Sequence, residues 1–377
     1  VTPPPDRIRL VVLFGGRSAE HDVSRASASH VLAAIDPDRY DVVPVGITRD
    51  GRWQLAEAAA ELLGARRELP AAVEVAGPQT DPLALAGTGP AGAGDGGDLP
   101  TVVIPVLHGP NGEDGTVQGM LELAGVAYVG AGVLGSAVAM DKTMAKTVLD
   151  AHGIPQPRWR QLLVSDLSRP GLAEELLEDL GPVVFVKPAN MGSSIGVTRA
   201  TDVDGVLAGL EEAARYDERF VVEQGIGTPE APVRELECGV LGNLSPQASV
   251  VGEIIPAAEF YDYEDKYHDG AAQTVIPADI DPELSDHIRR LAIRTFQALR
   301  AEGMARVDVF LAPDTEPGPD GVPGRVLVNE INTLPGFTPI SMFPKLWHAS
   351  GLPYPRLIDE LVRLALERHE RRRRFET

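Results

Sequence analysis

The stretch VLVNEINTLPG, residues 326–336, opens as an apolar strand and ends on charge. Side chains alternate across a strand. Strict alternation puts Val326, Val328, Glu330 and Asn332 on one face, with two oxygen-bearing side chains at its end. A carboxylate left unpaired at a buried strand end is costly, so either a cation sits against Glu330 or the strand end is solvated. A partner strand lies just upstream. In MARVDVFLA, residues 304–312, Arg306, Asp308 and Phe310 share one face, and a Pro/Gly-rich turn over 313–324 joins the two segments. Pairing them antiparallel brings Asp308, Glu330 and Asn332 together. Two carboxylates and an amide oxygen make a hard oxygen site, which Mg²⁺ accepts when nucleotide phosphates complete its shell. A solvated strand end with an Arg306–Asp308 ion pair would give the same spacing.

The 377 residues are enough for two or three domains, and 44% hydrophobic with 24% charged residues is a globular composition. The net charge of -21 argues against nucleic acid or a membrane surface as partner, so an anionic ligand needs a few local Lys and Arg. With Cys238 as the single cysteine, an intrachain disulfide or Cys-rich metal site is excluded, and a cytoplasmic location is expected. Neither a secretory signal nor a bilayer-spanning apolar segment is seen. The leader Val1-Thr2-Pro3-Pro4-Pro5 reads as disordered.

IRLVVLFGG (8–16), a helical pattern over 23–35 and YDVVPVGI (40–47) make a β-α-β opening, the start of a parallel sheet. The second half of 56–100 is rich in Ala, Gly and Pro and reads as a surface insertion. TVVIPVLHG (101–109) returns to a buried strand. Asp141 is placed to cap a helix that Gly153 and Pro155 stop. Residues 182–197 read as two strands joined by a Gly-Ser-Ser loop, with further strands over 219–226 and 234–242. Residues 259–270 read as a loop, 281–302 as an amphipathic helix and 357–368 as a closing helix. The fold class is therefore α/β at the start and α+β beyond.

Phosphate binders are next. Lys187 ends VVFVK, and GSSIG follows at 192–196. Its glycines let backbone N–H groups approach an anion, and Ser193 and Ser194 add hydroxyls. No Walker A spacing is present and no helix follows the loop. With Lys187 before it and an acidic site elsewhere, this turn reads as a flap over phosphates. Lys142, at a helix start, is a second candidate cation.

The motif set resembles the ATP-grasp superfamily and, within it, the D-alanine–D-alanine ligases. The resemblance rests on GGRSAEHDVS (15–24), HGPNGEDGTVQG (108–119), MDK (140–142), VKPANMGSSIGV (186–197), VVEQ (221–224), FYDYEDKY (260–267), ARVDVF (305–310) and NEINTLPGFT (329–338), which span nearly the whole chain in family order. It implies an ATP-grasp fold of three domains. These are an N-terminal α/β domain over 1–135 with an insertion near 56–100, a central subdomain over 136–226 carrying the flap, and a C-terminal subdomain over 227–377 carrying the metal site. It further implies ATP-dependent joining of two D-alanine molecules through an acyl phosphate, for peptidoglycan precursors, in a homodimer.

Position by position, Asp308, Glu330 and Asn332 resemble ligands of two Mg²⁺ or Mn²⁺ ions. Lys142, Lys187 and Lys266 resemble phosphate contacts, with Ser194 on the flap. Glu223 and the backbone of Gln224 and Ile226 resemble the adenine edge, and Glu235 the ribose contact. Glu20 resembles the carboxylate that holds the first D-alanine ammonium, linked to Ser193 and Tyr267. Arg306 and the Gly336 N–H resemble an oxyanion hole. Ser341 resembles the contact to the second D-alanine carboxylate, and His108 a residue on the first-substrate side.

Other classes fit less well. A dinucleotide-binding oxidoreductase would explain strand–Gly15–Gly16–helix, but G-x-G-x-x-G is missing. A nucleotide sensor without turnover would not need Asp308, Glu330, Asn332, Lys187 and Arg306 intact. A ligase making a D-alanine–D-lactate or D-alanine–D-serine product is nearer. The position matching Tyr267 resembles a His in depsipeptide-forming relatives, and a Tyr there, a side chain whose unperturbed pKa of about 10 leaves it neutral at pH 7, implies dipeptide.

Overall fold

The structure is a computed structural model and describes residues 7–82, 99–228, 230–255, 273–313 and 325–375. The 259–270 loop, with Lys266 and Tyr267, lies outside the described residues, as do the leader and most of the Ala/Gly-rich insertion and of the 313–324 turn.

Among the described residues, three sheets carry the fold. The first joins β1 (Ile8–Gly15), β2 (Tyr40–Ile47), β3 (Trp53–Leu55), β4 (Thr101–Val106) and β5 (Ala127–Tyr128) in the order β3-β2-β1-β4-β5. All neighbours run parallel except β3. Helices α1 (His21–Ala34), α2 (Glu57–Gly64) and α3 (Thr116–Leu123) accompany it. Leu10 to Phe14 are all buried, the unbroken apolar run of a parallel strand covered on both faces. The chain steps from β1 to β2 on one side and later to β4 on the other. Such a switch point opens a crevice at the carboxyl ends of the strands, and Glu20 and His108 follow those two ends.

Helices α4 (Val133–Met140) and α5 (Lys142–Ala151) lead out of this sheet. Asp141 caps α5 as expected, accepting from the N–H groups of Thr143 and Met144. The second sheet is antiparallel, ordered β6-β9-β7-β8 from β6 (Trp159–Leu163), β7 (Val184–Pro188), β8 (Thr198–Ala200) and β9 (Arg219–Gln224). Helices α6 (Leu172–Leu180) and α7 (Val203–Ala213) bury Leu176, Leu180, Val206 and Leu210 against it.

The third sheet is antiparallel too, ordered β12-β11-β10-β13-β14. Its strands are β10 (Arg234–Gly242), β11 (Gln247–Ile255), β12 (Gln273–Val275), β13 (Gly303–Ala312) and β14 (Arg325–Asn332). Helix α8 (Pro282–Ala298) covers one face, where Cys238, Val240, Val307 and Val309 meet Ile288 and Phe296. The helix stops short of the expected residue 302 because Arg300 turns left-handed, φ 54. On the other face, Leu241 and Met304 join a core with α9 (Met342–Ala349) and α10 (Tyr354–Arg373), and charged residues follow toward one end.

The expected pairing of the last two strands is present, but the expected face is not. Asp308 lies opposite Glu330 and Val309 opposite Val328, so Asn329 is an extra residue in a β-bulge. The bulge inverts the alternation. Val326 and Val328 point with Ile331 into the α8 core, whereas Glu330 and Asn332 turn to the other face beside Asp308 and Arg306. The four residues therefore do not share a face.

Candidate active site

One cavity gathers residues from all three sheets: Glu20 and His108 from the first, Lys187 and Glu223 from the second, Arg306, Glu330 and Asn332 from the third. Its floor is the charged end of the third sheet. Across β10, β13 and β14, Glu237, Asp308 and Glu330 stand in one cross-strand row. Like charges directly opposite are destabilising unless a cation intervenes. Arg306 intervenes for two of them: Nε and an Nη donate to the two Asp308 oxygens, both at 2.7 Å, and Nε lies 3.1 Å from Glu237 Oε2. Arg306 and Asp308 thus form the ion pair considered from the sequence, but with side chains 18% and 14% exposed it is no solvated strand end. Burial lowers the Arg306 pKa, but Asp308 and Glu237 more than reverse this and hold it well above the usual arginine range.

Opposite lies a cation-rich cluster. Glu223 of β9 receives Lys187 at 2.9 Å on one oxygen and Lys146 at 3.2 Å on the other. Burial pushes Glu223 up, but Lys146 and Lys187 outweigh it and hold the carboxyl down at about 2. Burial depresses Lys146 more than Glu223 restores it, whereas Glu223 carries Lys187 above the ordinary lysine value. Lys142, one helical turn before Lys146, donates to the Met191 carbonyl of the flap. Burial lowers its pKa against the pull of Glu330.

The third wall joins the first sheet to the flap. Gly15 N–H donates to Ser24 Oγ, and the His21 ring pairs with the Gly16 carbonyl, so the turn delivers Glu20 to the cavity. Ser193 Oγ donates to Glu20. Ser193 and Ser194 both adopt left-handed backbones, φ 50 and 58, a conformation that costs about 1–2 kcal/mol per non-glycine residue and clusters at ligand clamps. His108 is 5% exposed with Nδ1 3.5 Å from Glu113. Burial lowers the His108 pKa, but Glu113 and Glu20 raise it further; burial raises Glu113.

After β14, Asn332 Oδ1 accepts the Leu334 N–H and Tyr354 donates to the Phe337 carbonyl, fixing the loop that presents Gly336. A Cβ on Gly336 would sit 2.7 Å from Ser341 Oγ, so only glycine lets that hydroxyl approach. Ser341 Oγ accepts from the Thr338 N–H at 3.0 Å.

The cavity therefore brings together Glu20, His108, Lys142, Lys187, Ser193, Glu223, Arg306, Glu330, Asn332, Gly336 and Ser341. Asp308 lies beneath Arg306. Ser194, Gln224, Ile226 and Glu235 are outside its lining, although Glu235 is near enough to raise the Lys187 pKa, and the Gln224 N–H is committed to the Arg158 carbonyl. Sequence reasoning misses Lys146, Glu113 and Glu237. Lys146 repeats Lys142 at i+4 on one helix face, Glu113 sits inside HGPNGEDG, and Glu237 breaks an apolar strand at alternate positions with Glu235.

The D-ala D-ala ligase N-terminus model matches residues 9–131 and the D-ala D-ala ligase C-terminus model residues 148–363. The chain belongs to the D-alanine–D-alanine ligase family. It is 47% identical over 380 residues to the D-alanine–D-alanine ligase of Bradyrhizobium sp. (strain ORS 278), covering 98% of both chains. It is 44% identical over 369 residues to that of Geobacillus kaustophilus (strain HTA426), covering 97% of this chain and 96% of the relative. Among solved structures, the D-alanine-D-alanine ligase from Coxiella burnetii superposes with a TM-score of 0.76 at 34% identity, covering 98% of this chain and 97% of that one. The VanG D-Ala:D-Ser ligase from Enterococcus faecalis gives 0.74 at 30% identity, covering 95% and 99%. The α/β and α+β reading and the ATP-grasp fold thus stand.

Proposed function

We propose that this chain is an ATP-dependent ligase that joins two D-alanine molecules, releasing ADP and phosphate. The observation that carries this reading is the pair of opposed charge clusters at one cavity: lysines crowding Glu223 on one wall, three carboxylates in a row on another. A metal-bound nucleoside triphosphate matches both, phosphates to the lysines and metal to the carboxylates. The names of the relatives support the choice of D-alanine.

The donor set fits a divalent cation in part. Among the described residues, no three His, Cys, Asp or Glu side chains are arranged to hold a metal by themselves. Asp308, Glu330 and the second lone pair of Asn332 Oδ1 supply an incomplete oxygen shell, which suits Mg²⁺ or Mn²⁺ bound together with phosphates and water. When bound, such ions would neutralise the phosphate oxygens and hold the γ-phosphoryl for in-line attack. Lys142 and Lys187 hold the nucleotide phosphates, with Ser194 on the flap. Glu223 and the backbone of Gln224 and Ile226 are assigned to the adenine edge, and Glu235 to the ribose, by resemblance alone.

Glu20 takes the ammonium of the first D-alanine, with His108 beside it. The carboxylate of that molecule attacks the γ-phosphorus, ADP leaves, and an acyl phosphate forms. The second D-alanine, its carboxylate at Ser341, gives up an ammonium proton to solvent water and attacks the acyl carbon. Arg306 and the Gly336 N–H take the oxyanion, and phosphate leaves. Lys266 is assigned to the transferred phosphoryl group and Tyr267 to the Glu20–Ser193 link by resemblance alone.

The domain division at 135 and 226, homodimerisation and a cytoplasmic location belong to the same reading. No helix among the described residues is long and apolar enough to cross a membrane. Phosphate release from ATP, measured with and without D-alanine and paired with the product mass, tests the proposal. D-alanine-dependent release with D-alanyl-D-alanine as product supports it, and release without D-alanine or a different product contradicts it.

A further inference from the structure

Arg306 and a divalent cation compete for Asp308. The guanidinium engages both Asp308 oxygens at 2.7 Å, the bidentate arrangement in which Arg–carboxylate pairs are strongest. A metal ion needs at least one of those oxygens and repels the guanidinium beside it. Resting on the ligase reading above, we propose that Glu237 is a positioning residue: when a divalent cation takes Asp308, Glu237 keeps the Arg306 guanidinium at the reacting end of the cavity.

Three observations support this. Glu237 lies directly across from Asp308 on the neighbouring strand, so one guanidinium can pass between them without moving its backbone. Arg306 Nε already lies 3.1 Å from Glu237 Oε2, so the second contact exists before the first is given up. Glu237 is 5% exposed, and a carboxylate buried to that degree needs a cationic partner. The strand residue on its other side is Gly252, where a Cβ would strike the Met342 side chain at 2.7 Å. No side chain can intrude from β11, and Arg306 is the cation that faces Glu237 on the β13 side. The acidic row then has two roles. Asp308 and Glu330 take metal, and Glu237 receives the guanidinium that metal displaces. Without Glu237, a displaced Arg306 would turn to Glu330 and obstruct the second metal ligand.

Mn²⁺ binding in the presence of ADP, followed by electron paramagnetic resonance, tests the proposal apart from turnover. Glu237→Gln is expected to weaken Mn²⁺ binding about fivefold or more, because Arg306 then holds Asp308 more exclusively; fivefold is about 1 kcal/mol. Arg306→Met is expected to tighten it. In the Arg306→Met background, Glu237→Gln is expected to change Mn²⁺ affinity by less than about twofold, since Glu237 acts only through Arg306. An equal loss in both backgrounds would make Glu237 a remote charge and overturn the proposal. The proposal is also overturned if metal-free Glu237→Gln melts more than about 10 °C below the unmodified protein, the mark of a structural role. In kinetics, Glu237→Gln should lower kcat about tenfold or more with the KM for ATP within about threefold, the split expected when a group oriented for the transition state is lost. If the unmodified protein binds no Mn²⁺ with ADP, the ligase reading fails with the proposal; if it binds Mn²⁺ and Glu237→Gln changes nothing, only the proposal fails.

Discussion

Two buried ion clusters line the same cavity, one gathered around a carboxylate and the other around a guanidinium. At Glu223, one carboxylate serves Lys146 and Lys187, and Lys142 stands nearby. At Arg306, one guanidinium serves Asp308 and Glu237, and Glu330 completes the row. A fold selected only for stability would pair such charges one to one, or replace them with apolar side chains at little loss. Crowding cations on one wall and carboxylates on the other makes sense when a ligand that carries both signs of charge sits between them. The difference teaches where each end of that ligand goes.

The arrangement can be disturbed from either side. The largest effect is expected from Arg306→Ala: kcat falls about 10²–10³-fold, the usual cost of an oxyanion donor, while ATP affinity stays within a few-fold. Steady-state kinetics with nucleotide titration separates this from loss of ATP binding, which would make Arg306 a phosphate contact. Glu330→Gln should reduce metal affinity by more than the about 10–100-fold typical of an outer-shell partner, with the circular dichroism spectrum unchanged. Near-normal turnover in the folded variant would remove Glu330 from the metal site.

Glu223→Gln attacks the opposite wall and leaves two buried lysines uncompensated, at a cost of about 3–5 kcal/mol in a denaturant melt. The cluster also has a pH signature. The Glu223 pKa is lowered from 4.5 to about 2, so its contribution is complete above pH 4.5 and is lost as pH falls from 4.5 toward about 2. Stability measured over that interval should fall more steeply in the unmodified protein than in Glu223→Gln. Ser193→Ala should be the mildest change: it deletes one hydrogen bond to a carboxylate, and about a tenfold rise in the KM for D-alanine, ~1.4 kcal/mol, lies near the lower end for such bonds. An unchanged KM would mean that the Glu20–Ser193 link does not report on substrate.

The parts of this arrangement that can be read in the sequence follow from local rules. β1 and β4 stand out because a two-sided parallel strand is a buried apolar run, β2 because its apolar run resumes after Asp41, and the start of α5 because Asp141 offers a cap. Helices α2, α3, α4, α6, α7 and α9 and strands β3, β5, β6, β11 and β12 emerge only in the structure. Several of them are eight- or nine-residue segments whose burial depends on packing against other sheets. The bulge at Asn329 is hidden for a different reason. Val326, Val328, Glu330 and Asn332 keep perfect alternation in the sequence, and only the register with β13 reveals the extra residue. The convergence of Asp308, Glu330 and Asn332 is legible, but alternation alone assigns it to the wrong face. Lys146 and Glu237 escape a sequence reading because each looks like an ordinary surface residue until the facing wall is known.

Calorimetric titration of ADP, with and without Mg²⁺, into the unmodified protein, Glu330→Gln and Lys187→Met tests the two-wall account most directly. The account predicts that Glu330→Gln keeps its metal-free ADP affinity and loses the tightening that Mg²⁺ gives, whereas Lys187→Met weakens ADP binding under both conditions. Equal tightening by Mg²⁺ in Glu330→Gln and the unmodified protein would contradict it.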